Sequence, residues 1–258
     1  MQDTFKFLTS RVIKVFANAV KLFCYVFHFV FPKKRFTLPK ISAPLYKSRY
    51  ESVIPRVLWQ TNFTDRVTLA VYANYLFNRL MSPTYEYRFM VTEDRAEFIR
   101  ENFSQEIFKS YSRLQLGASQ ADFWRILVLQ KNGGIYLDID GHFVWPLGFI
   151  VKPEYPELYI RTKRGDISNY FIASSKGNIH LERMTDIILR NIEENTLTNV
   201  FALTGPYVFH EVLNDIDVNT VSYRYAVHQG NFTNEHFQYI DKPQGKWTRA
   251  QDKIDLVK

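Results

Sequence analysis

The stretch "ASQADFWRILVLQKNGGIYLDID", Ala118 to Asp140, constrains the fold of this chain more than any other. Apolar residues at helical spacing over 120–131 predict a helix. Gly133 and Gly134 stop it, because glycine enters the left-handed conformation at a helix end without strain. The run "IYL" that follows is β-branched, aromatic and apolar, which predicts a buried strand. A helix delivered into a strand through two glycines is the repeating unit of an α/β sheet, where ligands collect at the carboxyl ends of strands. Asp138 and Asp140 stand at such an end.

The flanking sequence repeats the alternation. Strands are expected over 53–61 and 85–92, with helices over 66–80 and 93–102. Further strands are expected in "ELYIRT" and "NYFIASS", and helices over 179–194 and 206–214. With 46% hydrophobic residues in 258, the chain can bury the core of one domain plus an appendage. We divide it into a basic amphipathic segment, residues 1–50, and an α/β domain, residues 51–258.

Charge supports that division. Residues 1–50 hold ten Lys and Arg against one acid, Asp3, and carry +9; the whole chain carries +7, so residues 51–258 carry −2. A nucleic-acid footprint would have to come from the first 50 residues alone, and no nucleic-acid partner is expected. The lone Cys24 excludes an intramolecular disulfide framework and a cysteine-based zinc cluster.

The segment "FKFLTSRVIKVFANAVKLFCYVFHFVF", residues 5–31, is apolar enough to resemble a transmembrane span, but Lys14 and Lys21 would each be costly at the bilayer centre. Phe5, Leu8, Val12, Val15, Phe16, Ala19, Phe23, Val26, Phe27 and Val30 recur at helical spacing, while Lys14, Asn18, Lys21, Tyr25 and His28 trace a narrower polar stripe. This pattern predicts an amphipathic helix with the polar stripe in water. Lying in the headgroup plane, it would present Lys33, Lys34 and Arg35 to anionic lipid, so residues 5–35 are expected to bind an anionic membrane surface. A helix packed on its own domain is the competing expectation.

Two carboxylates one residue apart on a strand point the same way, about 6 to 7 Å apart. Three readings follow: an ordinary acidic loop; a haloacid-dehalogenase-type phosphatase, in which Asp138 would be the nucleophile and Asp140 a general acid; or a site holding a divalent cation against a diphosphate. The wider block separates them. Together, "ADFWR" and "GGIYLDID" resemble the core signature of the DXD-containing glycosyltransferases of family 32, which include capsular polysaccharide enzymes and initiating mannosyltransferases and are related to the glucosylating clostridial toxins. "IPRVLWQT", "NYFIASSKGNIHLERM" and "TGPYVF" resemble further segments of that family. The phosphatase motif needs Thr or Val where this chain has His142.

That resemblance implies a GT-A type, Rossmann-like nucleotide-sugar-binding domain over residues 51–258 and a retaining, metal-dependent hexosyltransferase. It implies Asp138 and Asp140 as ligands of Mn²⁺ or Mg²⁺, with His236 as a third candidate. It places Trp59, Gln60, Tyr136 and Trp247 with Asp122 and Arg125 around a nucleotide-sugar donor, a UDP-sugar foremost. Asn169 is placed on the acceptor side. The acceptor implied is a glycan or lipid-linked oligosaccharide in capsule or lipopolysaccharide synthesis, met by a peripheral enzyme on the cytoplasmic face of a bacterial inner membrane. A toxin-like transferase acting on a protein is the alternative. Asp122 also has a purely structural reading, closing a capping box with Ser119 and pairing with Arg125.

Overall fold

The computed structural model describes residues 2–242 and 245–258. The chain opens with α1 (Gln2–Val30), β1 (Phe36–Thr37), β2 (Ile41–Ser42), β3 (Val57–Thr61) and β4 (Arg66–Val67). It continues through α2 (Leu69–Met81), β5 (Glu86–Met90), α3 (Thr92–Asn102), α4 (Gln105–Arg113), α5 (Gly117–Asn132), β6 (Gly134–Leu137), β7 (Gly141–Phe143) and α6 (Leu147–Ile150). Then come β8 (Glu157–Arg161), β9 (Ile167–Ser174), α7 (Ile179–Glu194), α8 (Val200–Leu203) and α9 (Pro206–Leu213). The last elements are β10 (Thr220–Ser222), α10 (Tyr223–Ala226), β11 (Val227–Gln229), α11 (Glu235–Tyr239) and α12 (Trp247–Ala250).

Seven strands form the main sheet in the order β10-β8-β9-β6-β3-β5-β2. β3 lies parallel to both β5 and β6, and β9 runs antiparallel between β6 and β8. Alternation along the strands sends side chains to two cores. Trp59, Tyr136 and Ile172 join Trp124 and Leu127 of α5 on one face, while Leu58, Ile135, Leu137 and Phe171 join Val71 and Tyr75 of α2 on the other. The expected helices and central strands are present; β7, β10 and β11 were not anticipated.

The acid pair sits in a turn rather than along a strand. β6 ends at Leu137, and the amide of Gly141 bonds back to the carbonyl of Asp138 at 2.9 Å. Two buried asparagines one helical turn apart on α2 grip this turn from below. Asn74 Nδ2 donates to the carbonyls of Ile139 and Gly141 at 2.9 Å each, and Asn78 Nδ2 donates to Gly141 O at 2.8 Å. Gln60 Nε2 reaches the carbonyl of Asp138 at 3.1 Å. A side chain on Gly141 would bring its Cβ within 2.6 Å of Leu137 Cδ1, so a larger residue would have to displace the buried Leu137 side chain.

α1 packs on the domain with the opposite face from the one expected. Ser10, Ala17, Cys24 and His28 are buried, forming a seam against α2 and α10. His28 Nε2 accepts the first amide of α2, from Leu69, at 3.0 Å, a contact that burial favours by holding the imidazole pKa down and the ring neutral. Lys21 donates to Gly230 O at 2.9 Å, and Asn234 Nδ2 donates to Tyr25 OH at 2.6 Å. Asn18, Lys21, Tyr25 and His28 of the polar stripe thus contact the domain, while Lys14 stays exposed. Hydrogen-bonding groups on the domain match the stripe, and a few apolar side chains also reach the domain, Phe5 against Trp145 and Phe16 against Phe77 and Phe232. Phe5, Leu8, Val12, Val15, Val26 and Phe29 remain exposed, Phe29 to 88%.

Candidate active site

Beyond the carboxyl ends of β3 and β6 lies a cleft of about 820 Å³. One wall is the start of α5, which carries Asp122 and Arg125; the floor is the acid turn with Asn169 of β9; the far wall is the segment from β11 through α11 to α12.

Arg125 is the centre of the polar network. Its Nη2 lies 2.8 Å from Asp122 Oδ1 and 3.2 Å from Asp138 Oδ1, its Nη1 donates to Asn169 O at 2.7 Å, and the guanidinium stacks 4.3 Å from the Tyr136 ring centre. Asn169 Nδ2 and Thr204 Oγ1 donate to the two oxygens of Asp122 at 3.0 and 3.4 Å. Burial pushes the Asp122 carboxyl up to about 7, with Arg125 opposing and Asp138 reinforcing the rise. Asp122 is not part of a cap: α5 begins at Gly117 with Leu116 at the N-cap, so Ser119 and Asp122 both lie inside the helix.

The acid turn converges on a single amide. Gln229 Nε2 donates to Asp138 Oδ2 and to Asp140 Oδ1, each at 3.2 Å, and Tyr136 OH donates to Asp138 Oδ1 at 2.6 Å. β11 brings Gln229 there by pairing with β7 so that Gln229 faces Gly141. Burial, then the charge of Asp138, raises Asp140 to about 6. The two carboxylates, bridged by Gln229 and backed on the Asp138 side by Arg125 and Tyr136, offer oxygen atoms only and suit a hard divalent cation such as Mg²⁺ or Mn²⁺. Among the described residues no third His, Cys, Asp or Glu joins them, which leaves further coordination positions for water and phosphate oxygens.

The sequence-derived site residues divide accordingly. Asp122, Arg125, Tyr136, Asp138, Asp140, Asn169 and Trp247 share the cleft. Trp59 does not reach it: its ring is buried against Trp124 at 6.4 Å, and its Nε1 donates to Gly133 O at 3.0 Å. Gln60 is buried beneath the turn and acts on the backbone of Asp138. The structure does not bring His236 to the acids; its exposed ring stacks on Tyr25 of α1 at 5.7 Å. His142 is buried among Phe77, Phe232 and His228. Residues that sequence reasoning missed are Asn74, Asn78, Gln229, Arg95 and Lys242. The two asparagines repeat at i and i+4 on a helix, a signal that could have been read; Gln229 and Lys242 lie in a segment with no periodicity.

Residues 70–162 match the glycosyltransferase sugar-binding region containing the DXD motif. Over that region the chain is similar to the DXD-containing glycosyltransferases that the sequence resembled. It is 25% identical over 224 residues to the initiation-specific alpha-1,6-mannosyltransferase of Schizosaccharomyces pombe, covering 75% of this chain and 54% of that one. It is 36% identical over 104 residues to a toxin of Yersinia ruckeri, covering 37% of this chain and 5% of the toxin. The chain thus spans about half the length, or less, of these curated relatives. Among solved structures, the PaToxG glycosyltransferase superposes with a TM-score of 0.54 at 19% identity, covering 83% of this chain and 80% of that one. The likeness extends to the fold, an α/β GT-A type domain, here with an apolar N-terminal helix packed against it.

Proposed function

We propose that the protein is a retaining hexosyltransferase that moves a sugar from a nucleotide-sugar to a glycan or lipid-linked oligosaccharide at a membrane surface. The observation that carries this reading is the convergence of Asp122, Arg125, Asn169 and the Asp138–Asp140 turn on one cleft. A bound Mn²⁺ or Mg²⁺, held by Asp138 and Asp140, supplies Lewis-acid neutralisation of the diphosphate. The remaining chemistry belongs to the chain. Asp122, fixed by Asn169, Thr204 and Arg125, accepts hydrogen bonds from donor-sugar hydroxyls. Arg125, anchored on Tyr136 and Asn169, keeps a fixed positive charge where charge builds on the departing phosphate. Lys242, beside Phe63 and Tyr239 in the far wall, adds a cation for a phosphate. Transfer with retention forms the bond from the acceptor oxygen to the anomeric carbon on the face the phosphate leaves, while the glycosyl–phosphate bond breaks and the hydroxyl proton passes to the departing phosphate.

A membrane acceptor is supported by α1. Its exposed apolar face, its exposed Arg11 and Lys14 and the following Lys33 and Lys34 match an anionic bilayer surface. Arg35 is not available as expected, because its Nη2 donates to Asp241 Oδ1 at 2.7 Å. The helix is long and apolar enough to cross a membrane, but a helix seamed to the domain from Ser10 to His28 lies along the surface instead. We place the protein as a peripheral enzyme on the cytoplasmic face of a bacterial inner membrane, in capsule or lipopolysaccharide assembly.

The test is a thermal-shift screen of sugar nucleotides with and without Mn²⁺, because a ligand of the native state raises its melting temperature. UDP-hexoses are the first arm. GDP-mannose is the second, because the fission-yeast relative is a mannosyltransferase. A cation-dependent shift with one of them is expected, followed by an α-linked product from an α-linked donor. No shift with any sugar nucleotide overturns the proposal.

A further inference from the structure

The far wall of the cleft, residues 229–242, contains the end of β11 and one five-residue helix, α11, and is otherwise irregular. Gln229, Gln238 and Tyr239 line the cleft, and Gly230 and Asn234 border both the cleft and α1. The wall's outward groups are taken up by the N-terminal segment. Lys21 Nζ donates to Gly230 O at 2.9 Å, and Asn18 Nδ2 lies 3.5 Å from Asn231 Oδ1. Tyr25 OH accepts from Asn234 at 2.6 Å while its ring packs 4.6 Å from Phe237, and Arg35 pairs with Asp241. The amide of Gly230, the residue gripped by Lys21, donates to Asp140 O at 3.2 Å. Its neighbour Gln229 bonds both carboxylates of the acid turn.

We infer that α1 is a positioning element of the donor site: Lys21 and Tyr25, with Arg35, set the placement of residues 229–242 and, through Gln229 and Gly230, the geometry in which Asp138 and Asp140 receive a cation and its phosphate ligand. This rests on reading the cleft as the donor site. It differs from the membrane role of α1, because the residues concerned lie on the face turned away from lipid. An irregular segment has few backbone bonds of its own to hold it, so its position is set by what it leans on. Two side-chain bonds from α1 and an ion pair from Arg35, five residues past its end, provide that support along the length of the wall. Lys21 acts through Gly230 and touches no substrate.

The experiment uses the full chain without vesicles, so that lipid plays no part. Lys21→Met, Tyr25→Phe and the double variant are compared with Lys21→Arg, which restores a donor, and with Lys14→Met, which removes an exposed cation from the same helix. Amide hydrogen exchange of residues 229–241, the Mn²⁺ dissociation constant, and donor KM and kcat are measured. The double variant is expected to speed exchange in that segment, to weaken Mn²⁺ and raise donor KM by about tenfold or more, as for groups that orient metal ligands, and to change kcat little. Lys21→Arg should recover most of the loss and Lys14→Met should match wild type. Unchanged exchange and Mn²⁺ affinity in the double variant overturn the inference, as does an equal loss in Lys14→Met. If the double variant does not fold, Tyr25→Phe, which deletes one hydroxyl, carries the same criteria. Should wild type bind Mn²⁺ but no sugar nucleotide, the donor reading fails, while exchange and Mn²⁺ affinity still decide the positioning role.

Discussion

Asn169 donates its side-chain amide to Asp122 Oδ1 across 3.0 Å, fastening the start of β9 to the second turn of α5. The bond leaves Asp122 only 8% exposed and fixes its orientation toward the cleft. Asn169, expected on the acceptor side, thus also orients the carboxylate that we propose binds the donor sugar.

Asp122→Ala should lower donor turnover by orders of magnitude. The stability loss should be about 1–3 kcal/mol, from the unpaired Asn169 amide and a weakened Arg125 network, and modest because Arg125 retains Asp138, Asn169 O and the Tyr136 ring. Steady-state kinetics beside a denaturant melt reads both. A less stable but fully active variant would return Asp122 to a purely structural role.

Asp140→Asn should abolish cation-dependent turnover and leave the melting temperature of the metal-free protein equal or higher. It removes one of two repelling charges and keeps the Gln229 contact in reach. Titration with Mn²⁺ followed by paramagnetic resonance checks it; near-wild-type affinity in a folded variant contradicts the metal assignment.

The pH dependence follows from Asp140, raised to about 6, and Asp122, raised to about 7. An unfolded-chain Asp titrates near ~3.9, so between about pH 4 and 7 the folded protein holds protons that the unfolded chain has released. Stability from these groups is therefore greatest in acid and falls as pH rises through 6 to 7. A divalent cation needs the ionised forms, so its stabilising effect runs the other way, small at pH 5 and full above pH 7. Melts at several pH values with and without MnCl₂ measure the crossing trends; a cation effect constant over that range would count against them.

Lys242 is largely buried, and burial lowers its pKa. Lys242→Met should raise donor KM by about tenfold or more, the loss of one hydrogen bond to a charged group, with little change in melting temperature. Inorganic diphosphate should compete with donor in wild type and poorly in the variant. Equal inhibition would place the phosphates elsewhere.

Val15→Glu and Phe29→Glu, on the exposed face of α1, should prevent flotation with anionic vesicles while donor binding stays intact. Lys33→Gln and Lys34→Gln should weaken vesicle binding by about 1 kcal/mol per charge near the surface, and high salt should mimic them. Removing residues 1–35 is a different experiment: it uncovers Ala70, Leu69 and Phe237, and should lower the melting temperature as well as release the protein from lipid.

Much of the domain was legible because its periodicities are local. The α5–β6 block, the helix over 179–194 and the core strands announce themselves by spacing alone, and the acids stand out because a D-x-D at a strand end is chemically conspicuous. Three features were hidden for physical reasons. The acid turn departs from strand geometry because Asn74 and Asn78, some 60 residues upstream, take its carbonyls. Gln229 reaches the acids only through the β11–β7 pairing, which has too few residues to show alternation. The polar stripe of α1 was assigned to water because hydropathy ranks surfaces by solvent preference, and it carries no information about a hydrogen-bonding partner surface folded 200 residues later.

The inward polar seam of α1 has a practical corollary for handling the protein. Greasy N-terminal segments are customarily cut away to make a membrane enzyme easier to purify and crystallise. Here that cut would take away the support behind the cleft along with the exposed apolar face. Recolouring the helix is the safer route: polar residues at Phe5, Leu8, Val12, Val15, Val26 and Phe29, with Ser10, Ala17, Lys21, Cys24, Tyr25 and His28 untouched, would give a detergent-free form with its working parts in place.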